Sequence, residues 1–318
     1  MNAKKNPIRI LVSRCLLGEN VRYDGGHKHD HFVAEILSRF VEWEKVCPEV
    51  ESGMPVPRPS MHLLGDPAAP RLISRTGEDL TQVMTSFIKK RLEELESVEL
   101  CGYVCKKDSP SSGMARVKVY DPKGNASRNG AGLFTAAFMK RFPNIPVEEE
   151  GRLQDPRLRE SFITRIFCRR RWLDMLSEGR SRGALVDFHA RHKLLFLSHG
   201  RTGYTELGRL VASAKNYRLG ELFDAYESKM MDHLSRPTRP KQVLDVLTHI
   251  MGFFKKALTP EDKVELIGVI DEYRLGKVPL IVPITLLKHY ARKFPQPYLS
   301  NQVFLDPYPG EFMLRNFV

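Results

Sequence analysis

The sequence predicts an α/β domain over residues 1–157 followed by an all-α domain over residues 158–318. Three observations lead to this division. Strand patterns alternate with helix patterns over the first half of the chain, which is typical of α/β domains. Beyond about residue 158 the apolar spacing is almost wholly helical. The length of 318 residues is also about twice that of a typical domain.

The N-terminal domain opens with a predicted strand over residues 8–12, where branched side chains alternate along the chain. Apolar residues at helical spacing predict a helix over residues 30–43, and a short strand is predicted around Val46. Residues 53–59 contain three prolines, which remove backbone donors and fix φ. We therefore expect a rigid extended loop there.

The rest of the domain repeats the alternation. An amphipathic helix is predicted over residues 80–98, and strands are predicted over 100–104 and 115–120. Between those strands, residues 108–113 (Asp-Ser-Pro-Ser-Ser-Gly) have the composition of a turn. A further helix over 130–142 continues the α/β pattern.

Six segments of the second half have apolar residues every three to four positions, which predicts helices. They are residues 188–197, 203–214, 219–234, 241–257, 260–275 and 283–294. The run Arg-Arg-Arg-Trp at 169–172 joins the two predicted domains. A basic stretch beside an aromatic residue suits contact with a nucleic-acid backbone, so we expect this run on an RNA-binding surface.

Charge is distributed unequally along the chain, whose formal net charge is +12. Residues 1–155 carry 23 Lys and Arg against 21 Asp and Glu, whereas residues 156–318 carry 27 against 17. A basic module beside a near-neutral one favours a polyanionic partner for the second domain. A solvated basic surface is the alternative.

Composition excludes several classes of protein. A hydrophobic content of 42% with 28% charged residues is ordinary for a globular protein and excludes wholesale disorder. The apolar run at 278–287 contains two prolines and is too short to span a bilayer, so we expect no membrane partner and a cytoplasmic location. Five cysteines, an odd number, favour metal or catalytic roles over a disulfide framework.

Cys15, Cys47 and Cys105 share one setting, because each lies at or just after a predicted strand. In open α/β sheets the functional site is built at the carboxyl ends of the strands. Three thiolates meeting there could hold three corners of a [4Fe-4S] cluster and leave one iron open for a ligand. The wide spacing does not match a zinc ribbon, and a buried structural role for each cysteine is the alternative.

The motifs resemble two families that together cover nearly the whole chain. The first half resembles the TudS thiouracil desulfidase family through Ser-Arg-Cys-Leu-Leu-Gly at 13–18, Arg-Tyr-Asp-Gly at 22–25, Val-Cys-Pro-Glu at 46–49, Pro-Arg-Pro at 57–59 and Ser-Pro-Ser-Ser-Gly at 109–113. The second half resembles the YbgA-like helical domain through Phe-His at 188–189, His-Lys-Leu-Leu at 192–195 and Pro-Leu-Ile-Val-Pro at 279–283. The fused arrangement is similar to the RudS-type proteins, which remove sulfur from 4-thiouridine in tRNA.

The resemblance implies a non-redox desulfidase that depends on a [4Fe-4S] cluster, acts on 4-thiouridine in tRNA and releases hydrosulfide. It implies Glu49 and Ser109 as catalytic residues that assist attack by water. Arg58, Ser111 and Ser112 are the predicted substrate-binding residues. Without the resemblance, Glu49 is interpreted as a solvated loop acid and Ser109 as a turn residue or helix cap.

One position departs from the family pattern. The family's last motif reads Ser-Pro-Ser-Cys-Gly, in which the cysteine is a cluster ligand, whereas this chain has Ser112 there. Cys15 and Cys47 then need a third partner. We predict Cys105, because it is nearer the loop than Cys101. The alternatives are Cys101, Ser112 or loss of the cluster.

Two other functions compete with a tRNA desulfidase. The first keeps the chemistry but changes the substrate to free thiouracil or to a nucleotide such as 4-thio-UMP. The second belongs to another class, a non-catalytic RNA-binding protein whose cluster site has decayed. The basic second domain favours tRNA over a small substrate, because phosphate contacts bind RNA largely by charge and shape.

Overall fold

A computed structural model describes residues 6–317 of the chain. The chain divides into two compact units, of which the first ends at Gln154 and the second begins at Asp155. The first unit contains the strands together with a few helices, and the second is helical. The predicted fold class is therefore confirmed. Over the described residues, none of the helices is long and apolar enough to cross a membrane.

Two four-stranded sheets form the first unit. Its strands are β1 (Arg9–Ser13), β2 (Glu42–Val46), β3 (Met61–Leu64), β4 (Arg71–Ser74), β5 (Leu100–Cys105), β6 (Val117–Tyr120), β7 (Ala126–Gly130) and β8 (Val147–Glu149). The first sheet has the order β2-β1-β5-β8 with every pair parallel. The second has the order β4-β3-β6-β7 and pairs β3 with β6 in parallel. Because the first sheet is parallel, the carboxyl ends of its strands share one edge.

Three helices accompany these sheets, namely α1 (Pro48–Glu51), α2 (Thr81–Leu95) and α3 (Leu133–Arg141). The core between sheet and helices is aromatic and aliphatic: Tyr103 of β5 packs edge-on against Phe134 and tilted against Phe138, both on α3. All three side chains are fully buried. This packing fixes the first turn of α3 against the strand ends that carry the site.

The predicted helix over residues 30–43 is wrong in its second half. A short π-helix over Phe32–Ile36 and a 3₁₀ turn over Leu37–Arg39 replace its beginning, and β2 replaces its end. Residues 42–46 pair in parallel with β1, with Glu42 opposite Arg9 and Val46 opposite Ser13. Backbone pairing with an available edge of β1 therefore overrode a helical apolar pattern.

The second unit consists of α4 (Pro156–Glu178), α5 (Arg182–His199), α6 (Arg201–Ala212), α7 (Leu219–Ser235), α8 (Pro240–Phe254), α9 (Pro260–Arg274), α10 (Ile281–Lys293) and α11 (Pro297–Ser300). Its core is centred on Trp172, which stacks with Tyr226 and packs edge-on against Phe188. The six helices predicted from periodicity are all present as α5 to α10.

The basic run at 169–172 is not the exposed RNA-binding surface that its composition suggested. Trp172 is fully buried, and Arg170 is only 5% exposed. Arg169 pairs with Glu227, and Arg170 pairs with Asp174. The run lies in α4, where Arg170 and Trp172 are buried and Arg169 and Arg171 are half-buried. The charges of Arg169 and Arg170 are therefore paired within the protein.

Candidate active site

The carboxyl edge of the parallel sheet carries the cysteine motifs. Directly after β1, a 3₁₀ turn contains Cys15, and directly after β2, Cys47 is the N-cap of α1. Both line a cavity of about 340 Å³ in the first unit. The same cavity is lined by predicted site residues from α1 and from two loops: Glu49, Arg58, Ser109 and Ser112. The sheet therefore brings most of the predicted site together.

Cys15 and Cys47 are deeply set, with 8% and 6% of their surfaces exposed. Burial, and secondarily the charge of Glu49, raises the pKa of Cys15 to about 11 and the pKa of Cys47 to about 12. Near pH 7 both groups are therefore neutral thiols. A metal that binds them has to displace two protons, so metal binding to these thiols would become tighter as the pH rises.

Glu49 is held by groups on both of its oxygens. The Ser111 hydroxyl donates a hydrogen bond of 2.6 Å to Oε1. The Cys47 thiol donates to Oε2 at 3.4 Å, and a guanidinium nitrogen of Arg58 lies 3.9 Å from the same oxygen. Glu49 is thus an oriented carboxylate beside a thiol rather than a solvated loop acid.

The Ser-Pro-Ser-Ser-Gly loop brings three hydroxyls together. Ser111 Oγ lies 3.1 Å from the Oγ atoms of both Ser109 and Ser112. The loop packs against the first turn of α3, where Phe134 N–H donates to Ser111 O at 2.9 Å. A Cβ on Gly132 would lie 2.4 Å from the carbonyl carbon of Ser111, so only glycine allows this approach. Of the three hydroxyls, that of Ser111 bonds directly to Glu49. Ser109 is linked to Glu49 only through Ser111.

Arg58 forms a fixed wall of the cavity. Both terminal nitrogens of its guanidinium donate to Val21 O at 3.1 Å, and one also donates to Pro55 O at 3.3 Å. Its side chain is only 6% exposed, and Nε is buried without a partner among the described residues. Residues 53–59 form neither helix nor strand, as their prolines predicted, and they place the Arg58 guanidinium beside Glu49.

Cys105 is not brought to this cavity. It ends β5 with no exposed surface, and its thiol donates to Glu148 O of β8 at 3.6 Å. Burial, followed by the charges of Glu149 and its neighbours, raises the pKa of Cys105 well above its usual value. Cys101 is also fully buried in β5. The hydroxyl of Ser112, rather than a third thiol, therefore completes the lining beside Cys15 and Cys47.

Six basic residues line the cavity against two acids, Glu49 and Asp108. Five of them were not predicted as site residues: Arg14, Arg22, Lys28, Lys106 and Lys107. Lys28 illustrates why, since it belongs to a polar loop that is joined to the Cys15 turn by backbone hydrogen bonds, among them one of 2.9 Å from Lys28 N–H to Cys15 O. The excess of positive charge suits an anionic substrate or thiolate ligands. Among residues 6–317, no three His, Cys, Asp or Glu side chains form a ready-made metal set.

Comparison with known protein families divides the chain in the same way as the fold. The family model described as 2-thiouracil desulfurase matches residues 10–150. The family model DUF1722, described as a protein of unknown function, matches residues 193–309. The cavity with Cys15 and Cys47 lies wholly within the first match.

Three individual relatives each match about half of the chain. The protein YbgA of Escherichia coli (strain K12) is 33% identical over 161 residues, covering 50% of this chain and 95% of YbgA. The protein YbbK of Bacillus subtilis (strain 168) is 28% identical over 142 residues, covering 42% of this chain and 89% of YbbK. A solved structure, titled [4Fe-4S]-dependent thiouracil desulfidase TudS, is 29% identical with a TM-score of 0.38, covering 46% of this chain and 94% of that chain.

Proposed function

Because the chain belongs to the family of YbgA through its C-terminal half and carries a 2-thiouracil desulfurase domain in its N-terminal half, we propose that it is an enzyme that removes sulfur from a thiolated uracil base. The substrate we propose is 4-thiouridine in tRNA, and the products are uridine and hydrosulfide. One observation carries the proposal. Two thiols and an oriented carboxylate, Cys15, Cys47 and Glu49, line a single basic cavity.

The cofactor we propose is a [4Fe-4S] cluster, and the donor set of the cavity fits it at three positions. Cys15 and Cys47 supply soft thiolates, which iron–sulfur clusters require. Ser112, which lines the cavity with them, would supply the third ligand. Cys105 would first have to leave its hydrogen bond to Glu148 O. Nearby cations such as Lys28 offset the negative charge of the thiolates.

When bound, the cluster supplies an open iron that polarises the carbon–sulfur bond as a Lewis acid. Residues of the protein orient the attacking water and accept its proton. Glu49 takes a proton from the water that attacks the base carbon, because Ser111 and Arg58 keep its carboxylate oriented. The carbon–oxygen bond forms, the carbon–sulfur bond breaks, and sulfur leaves as hydrosulfide. Ser109, linked to Glu49 through Ser111, hydrogen-bonds the water or the base.

Charge supports a phosphate-bearing substrate over a free base. The cavity lining has six cations against two anions. Residues 156–318, with 27 Lys and Arg against 17 Asp and Glu, provide a second basic module for RNA. A nucleotide within tRNA uses both, whereas 4-thio-UMP uses only the first and free thiouracil uses neither.

The test is hydrosulfide release by anaerobically reconstituted protein from tRNA that contains 4-thiouridine. 4-Thio-UMP and free 4-thiouracil are assayed in parallel at equal concentration. We expect tRNA to have the highest kcat/KM and Cys47→Ala to be inactive with all three. Equal turnover of 4-thio-UMP and tRNA would contradict the RNA substrate. If protein that has incorporated iron and sulfide releases no hydrosulfide from any of the three substrates, the proposal of an enzyme is contradicted.

A second candidate function is RNA binding without catalysis, and the serine at position 112 favours it. Two thiols alone line the cavity among the five cysteines of the chain, all of which the structure describes. Anaerobic reconstitution separates the two candidates. A brown protein with a thiolate-to-iron absorption band that Cys15→Ala lacks supports the enzyme. A colourless protein that still binds tRNA supports the binding protein.

A further inference from the structure

The backbone of Cys47 is held by a carboxylate that was not among the predicted site residues. Its N–H donates a hydrogen bond of 2.7 Å to Oε1 of Glu51, the last residue of α1. Cys47 is the N-cap of this helix and has extended backbone angles, with φ −131° and ψ 97°. The Glu51 side chain reaches back over the helical turn to meet it. Glu51 therefore acts on a residue that lines the cavity, although Glu51 itself does not line it.

The two carboxylates of α1 make different contacts with Cys47. Glu49 lines the cavity, and its Oε2 accepts from the Cys47 thiol at 3.4 Å. Glu51 accepts from the Cys47 N–H instead, so its contact is with the main chain. Hydrogen bonds from an N–H to a carboxylate are stronger than those to a neutral acceptor. Glu49 is thus available to the substrate, whereas the contact of Glu51 determines where Cys47 lies.

Arg91 joins Glu51 to two larger elements of the first unit. Its Nε lies 3.7 Å from Oε2 of Glu51. Arg91 belongs to α2, and its terminal nitrogens donate to Glu94 of the same helix at 3.0 Å, to Glu44 of β2, and to Lys45 O at 3.3 Å. The Arg91 side chain is only 16% exposed. Glu51 is therefore fixed by a strand and a long helix, and the guanidinium offsets the negative charge of its carboxylate.

We propose that Glu51, anchored by Arg91, is the positioning residue for Cys47 and keeps its thiol ready to bind the metal centre. The inference rests on the proposed function, because that function makes Cys47 a cluster ligand. Without Glu51 the Cys47 N–H loses its acceptor, and Cys47 gains conformational freedom that it has to give up again to bind iron. Partners of this kind typically change metal affinity about 10- to 100-fold. Glu51 is therefore expected to govern the retention of iron rather than the chemical step.

The first test uses the full chain without metal and needs neither cluster nor substrate. The rate at which iodoacetamide alkylates Cys47 is measured by mass spectrometry of the digested protein, with Cys15 followed in the same spectra. Alkylation of a buried thiol requires local opening, which becomes easier when a hydrogen bond is lost. Glu51→Leu is expected to raise the Cys47 rate about tenfold and to leave the Cys15 rate unchanged. Glu51→Gln keeps an oxygen acceptor and is expected to restore the rate to within about twofold of the unmodified protein.

The second test follows the metal. Protein reconstituted anaerobically with iron and sulfide is mixed with a chelator, and the loss of visible absorbance is timed. Glu51→Leu is expected to lose iron about tenfold faster than the unmodified protein, and Glu51→Gln is expected to lose it at nearly the normal rate. Glu94→Leu is the matched control, because Glu94 also pairs with Arg91 but its hydrogen bond is to the arginine and not to Cys47. It is expected to leave both the alkylation rate and the iron loss unchanged.

Four outcomes overturn the positioning role of Glu51. An unchanged Cys47 alkylation rate in E51L removes the restraint, and a parallel rise at Cys15 shows a general loosening of the first unit. Equal effects of E51L and E51Q assign the change to charge rather than to the acceptor. Equal effects of E51L and E94L assign it to Arg91. The alkylation test does not depend on iron or on sulfur release, so the inference can fail while the desulfidase proposal stands, and the reverse.

Discussion

The hydroxyl of Ser111 donates a 2.6 Å hydrogen bond to Oε1 of Glu49, joining the serine loop to α1 across 62 residues of sequence. Ser111 is fully buried, so water does not compete for this contact. The bond fixes the carboxylate while Cys47 contacts its other oxygen. Ser111 is therefore the positioning residue for Glu49. Ser109 contacts Ser111 and reaches Glu49 only through it.

Replacing Ser111 with alanine is expected to reduce kcat about 10- to 100-fold, because a hydrogen bond to a charged group contributes about 1.5–3 kcal/mol. Cluster incorporation should be unchanged, since Ser111 does not line the cavity. Hydrosulfide release and the visible absorbance of the reconstituted protein are measured together. Ser127→Ala, which alters a serine on β7, is the control. Unchanged kcat in S111A would contradict the positioning role.

Cys47→Ala and Cys105→Ala are expected to differ sharply in cluster content. Cys47 lines the cavity, whereas Cys105 is buried against Glu148 O. Iron and sulfide per chain after anaerobic reconstitution should fall close to zero in C47A and stay normal in C105A. Cys168→Ala, in the core of the helical unit, is the control for loss of a buried thiol. If C105A folds normally but contains no iron, Cys105 is the third ligand that the strand pattern predicted.

Ser112→Cys is expected to lengthen the lifetime of the cluster in air. The change adds a thiol at the cavity wall beside Cys15 and Cys47, and a thiolate binds iron more strongly than a hydroxyl oxygen does. The decay of visible absorbance after exposure to oxygen is the measurement. Ser127→Cys adds a cysteine away from the cavity and serves as the control. Identical decay in S112C and the unmodified protein would remove Ser112 from the ligand set.

Gly132→Ala is expected to destabilise the first unit by about 1–3 kcal/mol, as overpacking does. The new Cβ would lie 2.4 Å from the Ser111 carbonyl carbon and 2.5 Å from Ser112 N, and these backbone atoms cannot rotate away. Thermal unfolding is the measurement, with Gly268→Ala as the control because nothing lies within 4 Å of its added Cβ. A normal unfolding temperature in G132A would show that the serine loop can move.

The helical unit is expected to lose stability as the pH falls from 7 to 5. Burial lowers the pKa values of His192 and His199 from 6.5 to about 3. Below about pH 6.5 these two histidines are protonated in the unfolded chain, whereas in the folded chain they stay neutral down to about pH 3. The free energy of unfolding therefore decreases as the pH falls through that window. Each histidine should cost about 2 kcal/mol at pH 5.

Urea unfolding at pH 7, 6 and 5 checks this expectation. His199→Gln should reduce the slope of stability against pH, whatever it does to stability itself. His249→Gln, which replaces an exposed histidine, should leave the slope unchanged. A slope in H199Q equal to that of the unmodified protein would mean that other groups bind the protons.

Local sequence patterns were sufficient to predict structure where the conformation of a segment depends on its own residues. The α/β-then-helical division followed from the spacing of apolar residues, and the stiff loop around Arg58 followed from its prolines. Cys15 and Cys47 were found because each follows a strand, and parallel strands bring their carboxyl ends to one edge. These features depend on neighbours in the sequence or on a single topological rule.

Pairing between distant segments was decided only by the tertiary structure. Residues 42–46 became β2 because β1 offered them an edge, and Cys105 turned into the core because its strand lies between β1 and β8. Arg170 and Trp172 are buried in the helical unit, where composition had suggested an exposed surface. Burial and pairing depend on which groups meet across the fold, and contacts of this kind are not encoded in local spacing.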